Sequence, residues 1–208
     1  MIKKVDFKKR PQDQIFQIHL SLPETEPLVW RRIHVSGLFT LEALHSVFQM
    51  VMGWQMTHLY EFKIGPHRYS DPDEFDNSVK SPQISIAAAL AGHTSFQYTY
   101  DFGDNWEHEV LVEGITASDK NFNYPICVGG ENACPPEDCH GVPGYANLKK
   151  IISNANDPEF GDMLRWLGGH FNPASFDPNR INRDLLGMTD WRSGPNDQGL
   201  YHPFSERD

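Results

Sequence analysis

The chain has 208 residues, 39% hydrophobic and 22% charged, which suits a folded domain long enough to bury a substantial core. Its 28 acidic and 18 basic side chains give a formal net charge of −10, which repels a phosphate backbone unless the cations cluster on one face. No apolar run reaches the roughly 20 residues of a membrane span. The first residues lack the apolar stretch of a secretory signal. Three cysteines within one short segment argue against a disulfide framework and for a reducing, cytoplasmic setting.

Residues 1–13 hold Lys3, Lys4, Lys8, Lys9 and Arg10 and read as a solvated basic arm ahead of a single α+β domain, residues 14–188. Phe16, Ile18, Leu20 and Leu22 alternate with polar residues as in a half-buried strand, and Leu28 to Val35 repeats the pattern. Thr40 is placed to cap a helix that carries Leu41, Leu44, Val47, Phe48, Val51 and Met52 on one face, with Gly53 as its stop. His58 to Ile64 alternates again, and Gly65-Pro66 turns it toward His67-Arg68-Tyr69. The acidic stretch Ser70 to Pro82 reads as a loop, and Ile84 to Ala91 as a short helix ended by Gly92.

The clearest hairpin follows. Phe96, Tyr98, Tyr100 and Phe102 alternate up to Gly103-Asp104-Asn105, and Trp106, His108, Val110 and Val112 alternate down the other side. Regular pairing puts those eight side chains on the core face and Gln97, Thr99, Glu107, Glu109 and Glu113 in water. Short helices come next: Tyr145, Leu148, Ile151 and Ile152 share one face. Asp157-Pro158 and Asp177-Pro178 each read as an N-cap followed by proline at the first helical position, with stops at Gly168 and Gly187. From 189 to 208 the pattern is that of an irregular tail. The element order predicts a mixed sheet, β-grasp-like in outline, packed on one main helix, with a cysteine-rich loop and short C-terminal helices.

The loop CVGGENACPPEDCH is the chemically unusual segment. Thiolates and imidazoles are preferred zinc ligands, and Cys127, Cys134 and Cys139 with His108 or His140 would complete a tetrahedral structural site. The spacing matches no zinc-finger pattern, so buried thiols without metal are the competing reading. A nucleophilic or redox thiol is disfavoured by Glu131, Glu137 and Asp138 nearby. Asp101 and Asp104 flank the hairpin turn and offer carboxylates for a hard cation or acid–base work, against the alternative of a solvated turn. His58, after the helix–strand turn, is either a pocket residue or a satisfied turn residue. The phosphate-binding, dinucleotide-binding, serine-hydrolase and zinc-protease motifs are all missing.

The segments PLVWRRIHV, LEALHSVFQMVMGW, HLYEFKIG, YDFGDNWEHEVLVE, ACPPEDCHGVPGY and LRWLGGHFNPASFD resemble the plasmid pRiA4b ORF-3-like family, in the family's order and over roughly residues 14–186. The resemblance implies an α+β fold, an association with insertion elements, and no established activity. Where the family usually has glycine after the third cysteine this chain has His140, which leaves His108 as the better fourth ligand. Where many members read HLHEF this chain has Tyr60.

Three functional expectations follow. The first is a non-enzymatic binding or accessory module, linked to mobile elements, pinned by structural zinc and compatible with a protein partner. The second is a metal-dependent hydrolase acting on nucleic acid. The third, direct DNA binding, requires Arg31, Arg32, Lys149, Lys150, Arg165, Arg180 and Arg183 to converge.

Overall fold

The computed structural model describes residues 14–70, 79–119 and 124–187; the basic arm, residues 189–208 and most of the acidic stretch after Ser70 lie outside them. The chain is α+β. Strands β1 (Gln14–Leu22) and β2 (Val29–Ser36) pair antiparallel, with Ile18 opposite Ile33. Helix α1 (Leu41–Met52) follows. Then come β3 (Tyr60–Ile64), β4 (His67–Tyr69), β5 (Val79–Lys80), helix α2 (Ile86–Leu90) and the hairpin β6 (Ser95–Tyr100) and β7 (Trp106–Ala117). Strand β8 (Ile126–Glu131) precedes helices α3 (Gly141–Ile152), α4 (Phe160–Trp166) and α5 (Pro178–Leu186). The eight strands form one sheet in the order β5-β4-β3-β6-β7-β1-β2-β8. Among the described residues only β4 and β5 pair in parallel, so the sheet is mixed.

One face of this sheet makes the core. Phe16, Ile18, Leu20, Ile33, Phe62, Tyr98, Trp106 and Val110 are all buried there. Helix α1 closes over them: Phe48 meets Tyr98 edge-on at 5.1 Å and Phe62 at 6.1 Å. Its capping is as the residues require. Thr40 accepts a hydrogen bond from the Ala43 backbone, and Gly53 takes the left-handed conformation, φ 84°, that ends the helix. The opposite face of the sheet is polar: Arg32 pairs with Glu113 through two bonds of 2.6 and 2.8 Å, and Gln17 donates to the same carboxylate at 2.7 Å.

Three expectations are corrected. Phe102 is 53% exposed, because the β6 ladder ends at Tyr100 and Asp101 adopts φ 55°, which turns the next side chain out of the alternation. The cysteine segment is not loop throughout: its start, with Cys127, is the edge strand β8, paired to β2 with a register shift between Arg32 and Ile33. Helix α4 begins at Phe160, not at Pro158. The Asp157 side chain accepts from the Glu159 backbone at 2.9 Å, and its carbonyl accepts from Phe160 at 3.0 Å, so the residues before 160 form a turn.

The β8 edge is covered by a side chain. Asn182 of α5 accepts from the Cys127 N–H at 2.7 Å and donates to the Cys127 carbonyl at 2.9 Å, copying what a ninth strand would do at that residue.

Candidate functional site

The turn after α1 is held from beneath by a buried polar network. The Gln49 amide donates to the Tyr98 hydroxyl at 3.0 Å, so that hydroxyl donates in turn to Nδ1 of His45 at 2.7 Å. The Gln49 carbonyl oxygen accepts from the Met56 backbone at 3.2 Å. His45 stacks flat on Tyr60 at 3.7 Å, and burial holds its pKa down at about 3, so it is a neutral core acceptor. Tyr60 is therefore a packing residue here.

That network presents His58 to the hairpin turn. Asp101 is buried and held on several sides: its N–H donates to Leu59 O at 2.9 Å, its carbonyl accepts from Asn105 at 2.6 Å, and its Oδ1 accepts from Gly103 at 2.9 Å. Its Oδ2 lies 3.7 Å from Nε2 of His58. The loop before α3 supplies a third group. Glu137 accepts from the Tyr100 hydroxyl at 2.6 Å and from the Gln55 backbone at 3.1 Å, while Trp54 donates to Pro135 O at 2.9 Å. So anchored, the loop brings Oδ1 of Asp138 to 3.2 Å from Nε2 of His58.

One ligand atom each from His58, Asp101 and Asp138 lies within 4.8 Å of the other two. The Nε2 atom is buried and within ion-pair range of both carboxylates, yet hydrogen-bonded to neither. An imidazole with two carboxylates suits a borderline or hard divalent cation and leaves coordination positions open.

The four groups expected to gather around zinc do not meet in this way; among the described residues, the His58–Asp101–Asp138 set is the group of three or more whose ligand atoms lie this close. Cys127 is buried in β8 and donates to Gly129 O at 3.5 Å. The Cys134 sulfur lies 3.1 Å from the Met52 sulfur and 3.2 Å from an Arg31 nitrogen. Burial pushes the Cys134 thiol up to about 11, against the opposing Arg31 charge. Burial also pushes Cys139 up to about 12, helped by the Asp104 carboxylate. Protonated thiols are poor nucleophiles.

His108 sits on the core face, as its alternation required. Its Nδ1 faces two carbonyls, Trp106 O at 3.0 Å and Tyr98 O at 3.1 Å, so that nitrogen carries the proton and Nε2 is a bare, buried lone pair. Burial lowers its pKa to about 4. His140 is exposed at the start of α3 and caps nothing with its side chain. Asp104 stands outside the trio, with its Oδ2 buried and unbonded; its carbonyl abuts Gly141, where an added Cβ would lie 2.5 Å from the oxygen. Glycine at 141, at φ 67°, is what lets the hairpin turn seat on the loop.

Asp138 also forms one wall of a cleft of about 250 Å³, with Cys139, His140, Gly144, Asn147, Leu148, Met163 and Trp166 around the rest. The cation-capable trio and the cleft thus share a residue.

The match to known families settles the lineage. A model of the family described as plasmid pRiA4b ORF-3-like protein matches residues 14–180. The chain belongs to that family. It is 31% identical over 174 residues to the uncharacterized protein y4hQ of Sinorhizobium fredii (strain NBRC 101917 / NGR234), an alignment covering 81% of this chain and 89% of that one. The crystal structure of MM3350, a protein of unknown function from Methanosarcina mazei Go1, is similar with a TM-score of 0.75 and 33% identity, over 80% of this chain and 97% of the other.

His58, Asp101 and Asp138 fall in three separate segments of the chain, HLYEF, YDFGD and PPEDC. Sequence reading singled out Asp101 and noted His58, but counted Asp138 only as a charge near thiols. Their convergence depends on the pairing of β3 with β6 and on the Glu137 and Trp54 bonds, which no local pattern announces. No helix of the described residues is long and apolar enough to cross a membrane.

Proposed function

We propose that this family member is a binding module that takes up a divalent cation between His58, Asp101 and Asp138 and uses the open positions on that cation to hold a ligand. The observation that carries the reading is the mutual approach of the three ligand atoms to within 4.8 Å, with Nε2 buried and bonded to neither carboxylate. Two carboxylates balance a divalent charge, and an imidazole adds preference for manganese or zinc over magnesium. The family's plasmid-derived description supports an accessory role alongside mobile DNA.

A second reading, hydrolysis at the cation, is favoured by the count of protein ligands. Three leave room for a water whose pKa the metal would lower, whereas four would close the site. Direct DNA binding has less support. Arg31 is 3% exposed, with its guanidinium bonded to Val51, Trp30 and Glu131 carbonyls, while neighbouring Arg32 points to the other face and pairs with Glu113.

The test is calorimetric titration of the chelator-treated protein with Mn²⁺ and Zn²⁺. One cation per chain is expected, with affinity falling at least about tenfold in Asp101→Asn and in Asp138→Asn. Binding at millimolar strength only, or binding indifferent to both substitutions, would refute the reading. Phosphodiester hydrolysis by the loaded protein would promote the second reading over the first.

A further inference from the structure

We infer that the ligand is a nucleotide unit, its phosphate on the cation and its base in the cleft beside it; this rests on the cation reading above. The cleft wall combines two chemistries. Leu148, Met163 and Trp166 supply apolar and polarisable surface, and Asn147 supplies a side-chain amide with both donors and an acceptor. A nucleobase has that combination: two flat apolar faces and an edge of alternating donors and acceptors.

Trp166 is 51% exposed, an uncovered indole at the cleft margin, and base stacking on an aromatic side chain tolerates any base. The volume of about 250 Å³ holds a single base rather than a duplex.

The polar end of the cleft selects phosphate. Asp138 belongs both to the cleft and to the cation trio, so one carboxylate borders both positions. The cleft also borders the first turn of the twelve-residue helix α3. His140, at its cap, makes no side-chain bond to the backbone.

Without the cation, Asp138 and Asp101 would repel phosphate, so nucleotide binding is metal-dependent. The same chemistry arises in a free nucleotide and at the end of a single strand. The net charge of −10 disfavours the strand beyond its first unit.

The experiment is fluorescence and calorimetric titration of Mn²⁺-loaded protein with the four nucleoside monophosphates, inorganic phosphate and a short single-stranded oligonucleotide, repeated with chelator. At least one monophosphate is expected to bind about tenfold or more tightly than phosphate, only with Mn²⁺, and to lose that margin in Trp166→Ala and Asn147→Ala. An oligonucleotide that binds no better than the monophosphate assigns a free nucleotide; a tighter one assigns a strand end. Normal Mn²⁺ binding with no monophosphate exceeding phosphate, or a margin untouched by both substitutions, overturns the nucleotide inference alone. Failure to bind Mn²⁺ overturns the cation reading first.

Discussion

The sheet with α1 and the region of α4 and α5 are built on different terms. In the first, Phe48, Phe62, Tyr98, Tyr100 and Trp106 interlock as buried aromatic rings, and the polar groups among them, His45, Gln49 and His108, are buried as well. In the second, α4 has no buried residue and α5 buries only Leu185. Met163 and Leu167 lie half-covered, and Trp166 and Leu186 stand out in solvent. The contrast separates two tasks. Dense packing fixes where His58 and Asp101 stand, while the thinly packed helices border a cleft and can carry side chains that the fold does not need.

Substitution should expose that contrast most sharply at Phe62 and Trp166. Phe62→Ala removes a fully buried ring and is expected to cost about 3–5 kcal/mol in urea unfolding. Trp166→Ala should stay within about 0.5 kcal/mol of the parent. Comparable losses at both sites would mean that α4 is part of the core after all.

Acid should attack the same dense half. His45 and His108 have folded-state pKa values held down by burial, to about 3 and about 4, below the ordinary value of 6.5. The unfolded chain therefore takes up protons first. The stability these groups contribute is fully present above pH 6.5 and is lost as pH falls toward 4 and then 3. Each costs about 1.4 kcal/mol per pH unit within its window. Melting temperatures should hold from pH 7.5 to about pH 6.5 and then fall steadily to pH 4.5, and His45→Gln should flatten that slope. A melting temperature indifferent to pH would place these rings in water.

The most local effect belongs to the seam between the halves. Asn182→Ala removes both side-chain bonds to the Cys127 backbone, at a cost of about 1–3 kcal/mol, and should speed hydrogen exchange at the Cys127 amide while leaving β6 and β7 amides unchanged. Unaltered exchange at Cys127 would mean that some other group guards that edge.

How far these features could be read in the sequence follows from the range of the forces involved. Helix α1 was legible to the residue, because a threonine cap, a 3.6-residue apolar stripe and a left-handed glycine are local signals. Strands β1, β2, β6 and β7 were legible from period-two alternation. The alternation failed at Phe102, where the positive φ of Asp101 broke it. It also gave no warning of β8, whose Cys127-Val128-Gly129-Gly130 lacks a strand's usual composition and is made a strand by pairing with β2. The candidate site was legible in fragments only.

By itself, then, the sequence determined the α+β class, the capped helix, the aromatic hairpin and membership of the family, since each is encoded in residues near one another or in rare strings. Tertiary structure alone decided that Cys127 and Cys134 meet separate partners and that His58, Asp101 and Asp138 come within 4.8 Å of one another. Those relations span a sheet register and two long-range anchors, Tyr100 to Glu137 and Trp54 to Pro135. Spacing along a chain carries no information about an angle between side chains that only folding brings together.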